Sequence, residues 1–266
     1  VGDLKLSISV GLGDCIYTWA ALHAIKHKYK KIYVNTNWSI LKSYRNNSPE
    51  YRKFLIDLMA LVYSDPCFVL HSNQKCPHRS MVQPWGIPPA LPWIPKLCKT
   101  HDKTPQEPYI VVTTKVREYR RKWLQAIHKD FIKALQELSK KYKVVLIGER
   151  EVEFNVEYKI YGDQSIYSLY NDVVSEVDVV DLTIPKLGKT SPQLDVLQKD
   201  CGLMRDAQST ITIGSGGNLA LATAATKKLI GLRKDQYQFM DCIYKNTGVT
   251  TDPAHFIAQI NNIGKK

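Results

Sequence analysis

The strongest constraint on this chain is a repeated exchange of two periodicities. Short β-branched runs alternate with stretches whose apolar residues recur at helical spacing, nearly from end to end. Leu4–Val10, 31–36 (KIYVNT), 67–71 (CFVLH), 108–114 (PYIVVTT), 143–149 (KVVLIGE), 177–182 (VDVVDL), 209–214 (STITIG) and 227–232 (KKLIGL) read as strands. Between them, Cys15–Tyr29 sets Ile16, Trp19, Ala20, His23 and Ile25 toward one side, and Glu50–Tyr63 does the same with Phe54, Leu55, Leu58 and Leu61. Helices are also expected near Trp123–Lys141, 165–175, Pro192–Asp206 and 218–226. A closing helix over 252–263 has Asp252 as N-cap and Pro253 at its first position. Strands separated by helices cannot pair as hairpins, so the expected fold is α/β with largely parallel sheets.

The alternation fails once. Residues 72–108 are rich in proline (PWGIPPALPWIP) and read as loop and linker. Its Trp85 and Trp93 are open to two readings, an acceptor platform or apolar glue for a linker. The break divides the chain into an N-terminal Rossmann-like unit with the linker (1–106) and a C-terminal one (107–250). A terminal helix (251–266) is expected to pack back on the first unit.

Composition narrows the partners. The net charge of +12 favours anionic ones, namely phosphorylated substrates, acidic lipid or nucleic acid. Lys129, Lys133, Lys140 and Lys141 fit a solvated helix face, whereas Lys115, Arg117, Arg120, Arg121 and Lys122 directly follow a strand. Aromatic residues are not interleaved with these cations as base stacking requires, so nucleic acid is not an expected partner. No apolar run reaches the roughly 18 residues of a membrane span, and the first residues lack a leader pattern. Contact with a membrane surface through the basic patches stays open. The six cysteines are scattered, which points to thiols in a reducing, cytoplasmic setting. Cys67, Cys76 and His78 have no short CxxC partner, and no metal cofactor is expected.

Three segments carry chemistry. In STITIGSGGNLALATAA a strand runs through Gly214, Ser215, Gly216, Gly217 and Asn218 into a helix, where small residues and free amides suit a phosphate or diphosphate. The competing reading is a tight connection that needs glycine only for packing. It is not a Walker loop, which requires Gly-Lys-Ser/Thr after the glycines. In VVTTKVREYRRKW, Thr113 and Thr114 stand at a strand's carboxyl end, where open α/β sheets place ligands. Arg121 or Lys122 at the next helix start can neutralise diphosphate charge. Glu149 ends the following strand and suits ribose hydroxyls, or serves simply as a cap or surface acid. At the N-terminus, Gly11-Leu12-Gly13-Asp14 links a strand to a helix but ends in a carboxylate that would repel phosphate.

Taken in order, GLGD before a helix, TT…RRKW, VVLIGE, VVDLT and ITIGSGGNLALATAA resemble the family-nine glycosyltransferases, the heptosyltransferase-like group with a GT-B fold. The similarity runs over most of the chain and is weakest in residues 40–107. It implies two Rossmann-like domains whose parallel sheets face a central cleft. It also implies transfer of a sugar from a nucleotide diphosphate donor to a hydroxyl acceptor such as a glycan, with inversion and without an essential metal. Asp14 matches the family's general base, and Gly13 beside it is counted with the nucleotide-sugar contacts. Thr113, Thr114 and Lys122 match donor-phosphate positions, and Ser215, Gly216, Gly217 and Asn218 occupy the diphosphate loop. Relatives carry Asp-Thr/Ser-Gly and a following His in that loop, where this chain has Gly214-Ser215-Gly216 and Leu219, so the resemblance does not specify the sugar. A sugar-nucleotide epimerase, a non-catalytic nucleotide-sugar binder and a nucleic-acid-binding protein remain as alternatives. The first of these needs a second acid or a His that does not stand out.

Overall fold

The computed structural model describes residues 2–8, 15, 18–19, 22–23, 25–36, 49–76, 95–117, 121–150, 166–185, 194–213, 229–232 and 248–265, with 115–117, 121–124 and 149–150 described by backbone alone. In the first half, β1 (Leu4–Ile8), β2 (Ile32–Thr36) and β3 (Phe68–Leu70) form a parallel sheet in that order. Leu4, Leu6 and Ile8 are buried at every second position of β1, as a half-buried strand requires. Cys15, Thr18, Trp19, Leu22 and Ile25 are helical and buried. The helix α1 (Pro49–Val62) turns Phe54, Leu55, Leu58, Met59 and Val62 inward.

Beyond the linker come β4 (Tyr109–Val112), β5 (Lys115–Arg117), α2 (Arg121–Ser139), β6 (Lys143–Leu146) and β7 (Glu149–Arg150). There follow β8 (Ile166–Ser168), α3 (Tyr170–Glu176), β9 (Val179–Asp181), β10 (Ile184–Pro185) and α4 (Leu194–Asp206). The chain continues through β11 (Ser209–Ile213), β12 (Leu229–Leu232), β13 (Val249–Thr250) and α5 (Pro253–Asn261). The main sheet has the order β13-β12-β11-β4-β6-β9, with every pairing parallel. The protein is therefore α/β, with two separate parallel sheets.

Strand alternation splits the second half into two apolar layers. Tyr109, Val111, Val145 and Ile147 meet Leu197, Cys201, Leu203 and Met204 of α4, in a core continuous with that of the first half. Ile110, Val112, Val144 and Leu146 meet Phe131 and Leu135 of α2, Val173 of α3, and Phe256 and Ile260 of α5. The closing helix thus packs on α2 and β12 in the second half rather than back on the first. Its apolar stripe fits there because Phe256 stacks with Phe131 at 6.1 Å between ring centroids. The Asp252 cap is formed as expected, accepting from the Ala254 N–H at 3.0 Å.

Two elements differ from expectation. Residues 166–168, expected to begin a helix, pair antiparallel with β5 as β8, and the helix starts only at Tyr170. Ser168 makes the switch, because its hydroxyl accepts the Tyr170 N–H at 3.2 Å and draws the chain out of the strand. The two-residue β13 is too short for periodicity to reveal.

The halves meet where the linker returns at a 3-10 turn, Pro95–Leu97, between α1 and α4. Gln198 of α4 donates its side-chain amide to the Lys96 carbonyl at 2.9 Å, and its own carbonyl accepts the Lys99 N–H at 2.9 Å. Lys96 reaches Ser64 beyond α1 at 2.8 Å. A Cβ on Gly202 would stand 1.8 Å from the Lys99 carbonyl oxygen, so helix and linker touch backbone to backbone. Gly202→Ala should therefore destabilise the protein by about 2–3 kcal/mol through overpacking, read as a lower urea midpoint. A midpoint equal to the parent's would show that the linker can move aside freely.

Candidate functional site

The main sheet reverses its direction of growth between β4 and β11. From β4 it extends through β6 to β9, and from β11 through β12 to β13. Ligands of open parallel sheets bind outside the carboxyl ends of strands at such a reversal. Thr113 and Thr114 follow β4 there, and Ile213 ends β11 beside them. The ladder continues past β4, because the Thr113 N–H donates to the Ile211 carbonyl at 3.0 Å and the Ile147 N–H to the Val112 carbonyl at 3.2 Å.

The two threonines serve opposite faces. Thr114 is buried, and its hydroxyl lies 3.5 Å from that of Ser168, next to α3. By alternation Thr113 falls on the face of Val111, where α4 packs. Its hydroxyl is buried and has no hydrogen-bond partner among the described residues. An orphaned buried hydroxyl is unfavourable by about 1–3 kcal/mol, so at a switch point it marks a place where a ligand acceptor would be welcome.

The next strand end holds a turn. Gly148 has φ of +91°, the left-handed region that favours glycine, and a Cβ there would meet nothing within 4 Å. Glycine is needed for the backbone angle and not for lack of room. The Gly148 carbonyl accepts the Ile184 N–H at 2.9 Å, and Glu149 then pairs with Ile184 as β7 meets β10. Its N–H is met by the carboxyl of Asp200 on α4. Burial pushes that carboxyl up to about 7, and the Gly148 N–H opposes the rise.

Of the residues expected from sequence, Thr113, Thr114 and the backbone of Glu149 come together on adjacent strand ends. Arg121 and Lys122 open α2, after β5, with their side chains outside the description. Gly13, Asp14, Ser215, Gly216, Gly217 and Asn218 lie outside the described residues, as do Trp85, Trp93 and His78. The flanks of the first glycine turn are described: Ile8 ends β1, and Cys15 is helical, its carbonyl accepting the buried Tyr63 hydroxyl at 3.0 Å. Lys129, Lys133, Lys140 and Lys141 are exposed, as a solvated face requires. Among the described residues no three His, Cys, Asp or Glu side chains gather as metal ligands, and no helix is long and apolar enough to cross a membrane.

Sequence reading missed Ser168 and Asp200. Ser168 gives no signal of its own, because its neighbour Thr114 lies 54 residues away in the chain. Asp200 did give one. Leu197, Cys201 and Met204 mark the buried stripe of α4, and Asp200 stands on it, three residues after Leu197 and four before Met204. An acid on an apolar helical stripe must find a donor or hold its proton.

No family model matches this chain, and no curated protein matches it in sequence. Among solved structures, it is similar to the ADP-heptose lipopolysaccharide heptosyltransferase II of E. coli, with 13% identity over 98% of each chain and a TM-score of 0.48. A likeness at that level does not carry an activity from one protein to the other.

Two outcomes are expected. Thr113→Val removes the orphaned hydroxyl at nearly constant shape, so the ligand-free protein should gain about 1 kcal/mol in urea denaturation. A clear loss would mean that the hydroxyl already has a partner. Asp200, raised from 3.8 to about 7, binds its proton more tightly folded than unfolded. Its contribution to stability is complete below the lower value and is lost as pH rises through the higher one. Asp200→Asn should flatten the melting-temperature profile across that window and raise it on the alkaline side. A profile as steep as the parent's would place the titration elsewhere.

Proposed function

We propose that this protein is an inverting, metal-independent glycosyltransferase that uses a nucleotide diphosphate sugar. Residues 1–106 form the acceptor side and residues 107–250 the donor side of a GT-B-like cleft. The observation that supports this most is the buried Thr113 hydroxyl, without a partner among the described residues, at the switch point of a parallel sheet. In this reading the diphosphate lies across Thr113, Thr114 and the loop of Ser215, Gly216, Gly217 and Asn218. Arg121 and Lys122 supply the positive charge, and Glu149 meets the ribose. Asp14, held with Gly13 in the first glycine turn, takes the proton of the acceptor hydroxyl. That oxygen attacks the anomeric carbon from the face opposite the donor, the bond to the diphosphate oxygen breaks, and the configuration inverts. The leaving diphosphate keeps the electron pair, and the cations beside it neutralise its charge.

The acceptor is read as a glycan hydroxyl, reached in a cytoplasmic setting and with membrane-surface contact through the basic patches. Five cysteines, Cys15, Cys67, Cys76, Cys98 and Cys201, are free thiols, which fits a reducing compartment.

The test has two parts. A thermal-shift panel of common nucleotide sugars should raise the unfolding midpoint with the true donor. Asp14→Ala should then lower the transfer rate about a hundredfold or more while leaving donor binding in place. Near-normal transfer would remove Asp14 as base, and a panel without any shift would remove the donor.

A further inference from the structure

We propose that Asp200 is a positioning residue of the donor edge: its carboxylate holds the Gly148 peptide from the α4 face of the sheet and so sets the turn on which Glu149 sits. The inference deepens the glycosyltransferase reading and rests on it for the identity of the ligand, a sugar nucleotide whose ribose meets that turn.

The geometry is a two-sided clasp on one peptide group. Gly148 is gripped through its carbonyl by the Ile184 N–H at 2.9 Å and through its N–H by Asp200. The two grips come from different layers: Ile184 belongs to the extension of the sheet's edge, and Asp200 to the helix covering one face. Between them they hold a glycine at φ +91°, a backbone angle with no preference of its own for staying there. The far side of Gly148 is open, since a Cβ would meet nothing within 4 Å, so a ligand can approach the clasped peptide.

A carboxylate is a costly choice for a helical stripe otherwise made of Leu197, Cys201 and Met204. An Asn or Ser at 200 would have answered the same N–H without a buried charge. What the acid adds is a grip whose strength depends on its proton. Ionised, it accepts a charge-assisted hydrogen bond from Gly148; protonated, it holds the turn more loosely.

The charged and titratable groups of the surrounding elements are otherwise engaged. On α4, Asp195 binds Lys99 of the linker at 2.9 Å and Lys199 at 3.2 Å, while Lys199 also faces Asp102 at 3.6 Å. Lys96 of the 3-10 turn reaches Ser64, and Asp181 at the end of β9 accepts from Tyr170 and Thr183. The free thiols Cys98 and Cys201 flank the linker contact, and α1 contributes the apolar Leu55, Leu58 and Met59 to this core. Glu149 and Arg150 are the charged residues of the turn itself. Among the described side chains none sets the titration of Asp200, which burial and the Gly148 N–H govern. The proton on Asp200 therefore reports on the turn rather than on a neighbouring ion pair.

Two measurements decide the matter. In the free protein at about pH 8, amide hydrogen exchange at Gly148 should be about tenfold faster in Asp200→Ala than in the parent. It should stay near the parent's rate in Asp200→Asn, which retains an acceptor oxygen. Equal exchange in Asp200→Ala and the parent overturns the clasp. The second measurement is calorimetric binding of UDP-glucose, ADP-glucose and GDP-mannose, whose diesterified diphosphates do not titrate near neutral pH. The parent should bind its sugar nucleotide several-fold more tightly on the alkaline side of neutrality than on the acid side, and Asp200→Asn should lose that dependence. Persistence of the pH dependence in Asp200→Asn overturns the link to the donor edge. A parent that binds none of the three removes the donor itself, while the exchange rates still decide whether Asp200 holds the turn.

Discussion

The architecture depends on the docking of α4 against everything around it. One face of this helix lies on the main sheet, where Tyr109 of β4 donates its buried hydroxyl to the Leu203 carbonyl at 3.0 Å. Burial pushes that phenol up to about 12, so it remains a donor at any physiological pH. Along another line of the helix, Gly202 admits the Lys99 carbonyl so closely that no side chain could be interposed. Gln198, one turn earlier, clamps the same segment with two hydrogen bonds. Because α1 touches both the linker turn and α4, the core of the first half runs without a break into one face of the second. Backbone-to-backbone contact leaves little slack, and rigidity at this join is the physical consequence.

That join and the candidate site share a helix. Gln198, Cys201 and Gly202 serve the linker, while Asp200 serves the Gly148 turn at the edge of the site. A disturbance at the linker would reach the strand ends through a helix packed on both. The opposite face of the sheet is independent in this respect. There α2, α3 and α5 close a separate apolar layer around Phe131 and Phe256, and Thr114 and Ser168 stand at its rim. The two hydroxyls that sequence reading treats as a pair, Thr113 and Thr114, thus answer to different layers.

Much of the fold was legible because it rests on local patterns. The β-branched runs at 109–112 and 209–213 are buried at every position, as strands covered on both faces must be. The Asp252-Pro253 start of α5 was readable because capping is settled within one turn of chain. Residues 166–168 were not, because their strand state depends on a partner at 115–117 that sequence neighbours do not reveal. For the site, Thr113, Thr114 and Glu149 were found by their place after strands. Ser168 reaches the same edge through a contact across 54 residues.

The sequence by itself determined the α/β class, the strands that could be central, and the strand-end residues that could meet an anion. These follow from hydrophobic periodicity and turn chemistry, which act over a few residues. Only the tertiary structure decided the order of the strands, and with it which strand ends flank the switch point. It also decided that α5 covers the second sheet, and that an acid on the stripe of α4 answers a glycine N–H some fifty residues earlier. Such choices depend on which buried surfaces fit together and which buried polar groups find partners, and local propensity does not carry that information.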